Sequence, residues 1–134
     1  MKAKSILSVK ALDGRITLTL TDANNKTVFD ADGVPEEVTF NLMNGEELLD
    51  VQASDSKTTM LDQVNYILRG RLIDDDTAQP MLDSTIDYFC RTDPYKAMLV
   101  AGFIRRESDK RVKELVDASK TAKNFLTPVV TSLT

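Results

Sequence analysis

The sequence predicts an α+β fold, with antiparallel β-hairpins over about residues 5–42 and three or four α-helices over about 57–126. Three observations carry this. In the first third, short runs of alternating apolar and polar residues are separated by Asp-Gly, Asn-Asn and Asn-Gly turns, the pattern of hairpins. Beyond Ser54 the apolar residues recur at intervals of three and four, the pattern of helices packed on one face. The chain has 134 residues, 42% hydrophobic and 28% charged, which suits one domain with one core. The expected organisation is a β-rich part over 1–53, a helical part over 54–126, and a loose tail over 127–134.

Ser5–Leu12 and Arg15–Thr21 flank Asp13-Gly14, a turn that wants positive φ at its centre. In the second run Ile16, Leu18 and Leu20 point one way and the threonines the other, so a half-buried antiparallel strand is expected. Asn24-Asn25 leads into a third strand, Lys26–Phe29, and Asp32-Gly33 into a fourth, Val38–Leu42, which Asn44-Gly45 ends. Glu46–Gln52 is rich in helix formers and reads as a short helix, with a last strand as the alternative. No internal repeat is evident.

Ser54, Asp55 and Ser56 are N-cap candidates for a helix carrying Met60, Leu61, Val64, Ile67 and Leu68, stopped by Gly70. A second helix is expected from about Thr77 to Arg91, with Pro80 in its first turn and Leu82, Ile86 and Phe89 inward. Asp93 then caps a third helix that starts at Pro94 and carries Tyr95, Met98, Leu99, Gly102 and Phe103. After the charged stretch Arg105–Lys113, an apolar stripe of Val112, Leu115, Val116, Ser119, Ala122 and Leu126 resumes. Two arrangements stay open: Ser108 caps a fourth helix, or one long helix carries both stripes.

Composition narrows the chemistry. The chain has no histidine, which removes histidine-based triads, most zinc sites and simple histidine switches. Its single cysteine, Cys90, lies on a helical face and reads as a buried small hydrophobe. Neither a Walker loop nor a dinucleotide-binding glycine pattern occurs. An EF-hand loop from Asp74 fails, because Gln79 and Thr85 stand where glycine and glutamate are needed. Asp74-Asp75-Asp76 reads instead as negative charge at the start of the second helix. No catalytic residue, metal ligand or cofactor is therefore expected, and an enzyme built on carboxylates and a metal is the remote alternative.

No stretch reaches the roughly 18 apolar residues that span a bilayer. The basic start resembles a signal peptide's first region, but Lys10 and Asp13 interrupt the apolar part at once, so a strand and a cytoplasmic protein are expected. The net charge of −4 gives no general attraction to nucleic acid. Its distribution is uneven: residues 1–104 hold ten Lys and Arg against 17 Asp and Glu, a net of −7, while 105–134 hold seven against four, a net of +3. Glu107 and Asp109 interrupt the basic cluster and Phe103 is the one aromatic nearby, so a solvated helix face or contact with an acidic protein surface fits better than nucleic acid.

Val38–Leu42, the Gly45–Leu49 turn, the helix of Leu61, Val64, Ile67 and Leu68, Leu72–Asp76, Asp93-Pro94-Tyr95 and Ile104–Ser108 occur in an order that resembles the tail assembly chaperones and baseplate-hub assembly proteins of tailed bacteriophages. The resemblance spans about residues 38–108. Arg105-x-x-Ser108 keeps the spacing of the baseplate type, whereas Asp93-x-Tyr95 has one residue fewer than its Asp-x-x-Tyr. It implies a non-enzymatic protein whose working parts are surfaces, in the host cytoplasm or the virion. The expected interface is Arg105, Arg106, Lys110, Arg111, Val112, Leu115, Val116, Ser119 and Leu126. Its partners would be proteins, including other copies of the chain bound head to tail, with no small-molecule substrate. The alternative is a small acidic inhibitor of a host protein, which would gather the acids of 13–93 on one face.

Overall fold

The computed structural model describes residues 14–55 and 58–133, with side-chain surroundings as far as Lys120. The expected strand Ser5–Leu12 lies outside the described residues. The alternating run becomes β1 (Arg15–Thr19), paired antiparallel with β2 (Glu37–Asn41) so that Ile16 faces Phe40 and Leu18 faces Val38. The register is the expected one: Ile16 and Leu18 are half-buried, Leu20 is fully buried, and Thr17 and Thr19 are exposed. On the outer face the hydroxyls of Thr17 and Thr39 share a hydrogen bond of 2.8 Å.

Lys26–Phe29 does not form the third strand. Between β1 and β2 the chain makes two turns of one design, eight residues apart, a repeat hidden because little but Asp-Ala is shared. In each, an aspartate carboxylate accepts from the amides two and four residues on: Asp22 from Asn24 and Lys26, Asp30 from Asp32 and Val34. The fourth residue of each takes positive φ, 63° at Asn25 and 77° at Gly33. Leu20, Val28 and Glu36, also eight apart, close a ring of backbone hydrogen bonds: Leu20 N to Glu36 O at 2.7 Å, Val28 N to Leu20 O and Glu36 N to Val28 O at 2.9 Å. Val28 thus divides its amide and carbonyl between two neighbours, and the arms reach only single bridges, Thr21 with Thr27 and Phe29 with Pro35.

Helix α1 (Gly45–Ser54) confirms the helical reading of this segment. Asn44 and Glu47 form a reciprocal capping box, which satisfies two amides that the helix leaves open. Helix α2 (Met60–Leu68) is capped by Thr59, whose hydroxyl accepts from Asp62 N at 3.2 Å. The expected caps therefore fail: Ser54 ends α1, Asp55 is its C-cap, and Ser56 lies outside the described residues. Gly70, at φ 74°, does turn the chain out of α2.

The segment expected to begin the second helix at Thr77 forms instead a small antiparallel hairpin, β3 (Ile73–Asp74) with β4 (Gln79–Pro80). Ala78 sits at φ 58°, outside helical space, and its amide donates to Asp74 O. Asp74–Asp76 therefore shape a hairpin turn, with Asp74 Oδ1 accepting from Asp76 N at 2.9 Å, and serve no helix terminus. Pro80 lies in β4 rather than in a first helical turn. Helix α3 is only Asp83–Thr92; Leu82 is its N-cap and 71% exposed, whereas Ile86 and Cys90 are buried and Phe89 is half-buried.

Helix α4 (Pro94–Leu133) starts as expected, with Asp93 accepting from Lys96 N at 3.3 Å. It is one helix of 40 residues, so Ser108 caps nothing. Nor does it stop at 126: it passes through Pro128, which costs it one rung of the backbone ladder, and takes in most of the expected loose tail. Its first turns pack on α2, α3 and the inner face of β1 and β2. Phe40 and Phe103 meet edge to face at 5.9 Å, and Leu20, Met43, Leu68, Ile86 and Ile104 surround them with little or no exposure.

Candidate functional site

Helix α4 changes character between Pro94 and Lys120. As far as Ser108 the helix belongs to the core, with Ala97, Val100, Ala101, Phe103 and Ile104 buried. Three polar contacts then clasp it. Arg105 meets the Asp55 carboxylate through both terminal nitrogens, at 3.3 and 3.2 Å. This hydrogen bonding, with a smaller contribution from Gln63, holds the Asp55 carboxyl below the ordinary carboxylate range. Arg106 donates to the carbonyls of Thr21 and Asp22, both at 3.2 Å. Ser108 is fully buried, and its Oγ accepts from Met43 N at 2.9 Å.

Two of the nine expected interface residues, Arg105 and Arg106, thus hold the helix to its own chain. The others lie beyond the clasp. Lys110 and Arg111 are exposed and make no ion pair among the described residues. Val112 is half-buried and leans toward Gly45. From Lys113 to Lys120 every residue is exposed, with Leu115 at 37% and Val116 at 45%. Ser119 is among them, and the side chain of Leu126 lies outside the described residues.

Beside the clasp, α1 and α4 form an open groove of about 450 Å³, walled by Leu48, Leu49, Asp109 and Val112. Leu49 is 66% exposed. Val112, Leu115 and Val116 share a helical face, so the apolar surface of the groove continues along the outer helix.

Elsewhere several polar groups hold the fold together. Arg71, only 8% exposed, donates to the carbonyls of Tyr66 and Ile67 at the end of α2, stacks over the Tyr66 ring, and pairs with Glu47. Sequence reasoning missed this bridge, although Asn44-x-x-Glu47 carries the signature of a capping box. Asp87 accepts from Asn65 and Arg69, in that order of influence, which lowers its carboxyl. Burial pushes the Cys90 thiol up, away from the thiolate a nucleophile needs. The acids of 13–93 have scattered duties: Asp22 and Asp30 in turns, Asp55 on Arg105, Asp83 and Asp87 on Arg69. Among the described residues there is no group of three potential metal ligands, and no helix is long and apolar enough to cross a membrane.

The chain matches no protein-family model, no curated protein and no solved structure.

Proposed function

We propose that this chain is a non-enzymatic protein-interaction module of a bacteriophage tail, an assembly chaperone or minor structural component, and that the outer half of α4 is its binding arm. The observation that carries the reading is the unbroken exposure of residues 113–120 on a helix whose inner half is clasped to a core. An apolar stripe held out in water by a fixed base is unfavourable unless a partner covers it. The groove beside Leu49 and Val112 gives that partner a second wall. The phage assignment rests on the resemblance across residues 38–108. Two residues that carry it, Arg105 and Ser108, are clasp residues, consistent with a motif that aims a surface rather than performs a reaction.

Truncation after Val112 tests the arm. The shortened chain keeps every described core contact and should melt within a few degrees of the full chain. It should no longer co-purify with bacteriophage tail proteins that the full chain retains on co-expression. Retained binding would place the interface elsewhere, and cooperative unfolding would make the outer helix part of the core. Finished tails that contain the chain would mark a structural component, and tails that lack it a chaperone.

A further inference from the structure

A second cleft, of about 490 Å³, lies between the edge of β2, the β3–β4 hairpin, helix α3, which lines it from Thr85 to Thr92, and the start of α4. Its floor is apolar, with Val38, Leu72 and Val100 each nearly buried. Its walls carry four carboxylates, Glu36, Glu37, Asp75 and Asp93, against one ammonium, Lys96. Lys96 pairs with Oε1 of Glu36, while the buried Oε2 has no partner among the described residues. Glu37, Asp75 and Asp93 are exposed and make no ion pair among the described residues, so the rim keeps a net negative charge. The cleft therefore suits a segment that presents a cation beside an aliphatic side chain.

This chain has such a segment. Arg111 and Leu115 lie one turn apart on one face of α4, Lys110 adjoins them, and all three are exposed. Lys96 lines the cleft, and on a continuous helix Arg111 stands about 22 Å further along the axis. A chain cannot fold its own arm back into its own cleft. We propose that the acidic cleft of one copy receives the Lys110–Leu115 turns of a second copy's arm, by apolar contact on the floor and charge pairing at the rim. The contact joins two different surfaces, so each copy keeps one arm and one cleft to offer, and assembly proceeds head to tail. This deepens the reading of the outer helix as a binding arm, and names the chain itself as a partner.

Sedimentation equilibrium of the full chain tests it. Self-association should rise with concentration and weaken at about 0.5 M salt. A cleft variant, Glu37→Gln with Asp75→Asn, and an arm variant, Lys110→Gln with Arg111→Gln, should each associate about tenfold more weakly. All four residues are exposed and make no side-chain hydrogen bond within the described chain, so folding should survive; Thr85→Arg, which blocks the cleft by bulk, is a second probe. Mixing the cleft and arm variants leaves one good arm and one good cleft, so the mixture should stop at a one-to-one dimer. A wild-type chain that stays monomeric at every concentration would overturn the proposal, and so would a cleft variant that associates like wild type. In either case the loss of tail-protein binding on truncation still judges the arm separately.

Discussion

Ser108→Ala isolates the contact that turns a core helix into a projecting one. The Ser108 hydroxyl is fully buried and accepts from Met43 N, at the junction of β2 and α1. Removing it leaves a buried amide without an acceptor, in a place no larger than the lost oxygen. The cost is that of an unmet buried donor, about 1–3 kcal/mol. For a chain of this size that lowers the melting temperature by about 4–10 °C. Ser119→Ala, at an exposed position further along the same helix, is the control and should move stability by less than about 0.5 kcal/mol. The measurement is urea unfolding of both variants, read from the midpoint at unchanged slope. Equal stability of the two would show that Met43 finds another acceptor and that the clasp does not depend on Ser108.

Glu47→Ala removes a cap and the partner of a buried guanidinium together, so it should cost about 2–4 kcal/mol, and a double-mutant cycle with Arg71→Met should show coupling above about 1 kcal/mol; additive costs would refute the bridge. The paired turns predict opposite signs: Gly33→Ala, at φ 77° with open space around the new methyl, should destabilise by about 1 kcal/mol, while Asn25→Gly, at φ 63°, should be neutral or slightly stabilising in thermal melts. Acid should lower stability in part through Asp55 and Asp87. Both carboxyls are depressed in the folded state, so their stabilisation is full above the ordinary aspartate range and is lost as pH falls below that range and through the depressed folded values; a melting temperature that is flat from pH 7 to 5 and drops below about pH 4 is expected, with Asp87→Asn shrinking the drop.

The alternation of Ile16, Leu18 and Leu20 and the 3–4 spacing of Val64, Ile67 and Leu68 suffice to read the fold class, because burial imposes those periods directly. The Asp93-Pro94 restart is legible for a similar reason, since a cap and a proline act within one turn. The sequence misleads where local chemistry is ambiguous. Acids before a helix pattern look alike whether they charge a terminus or shape a turn, so Asp74–Asp76 read as the approach to a helix that begins only at Asp83. Ser108, Arg105 and Arg106 look like a cap and a basic patch. Their partners, Met43, Asp55, Thr21 and Asp22, lie 50 to 85 residues away, and no local pattern announces contacts at that range. The stripe beyond Val112 is readable as a stripe, but only the tertiary contacts separate the clasped turns of α4 from the exposed residues 113–120.

The ring of Leu20, Val28 and Glu36 makes this end of the protein modular. In each eight-residue lobe the aspartate carboxylate accepts two of the lobe's own amides, and the lobe joins the ring at its two ends. Excising residues 22–29 as a block would bring Leu20 and Glu36 face to face as an ordinary hairpin pair, with the alternation of β1 and β2 undisturbed. Inserting a third lobe would enlarge the ring without shifting Ile16 or Phe40. Seven or nine residues would not be equivalent, because one arm of the lobe would lose its partner in the bridge and bulge. Length variation at this edge is therefore expected in steps of eight, and the second lobe, which takes no part in the Arg106 contacts, is the place to carry a tag or a foreign epitope while the long helix stays aimed.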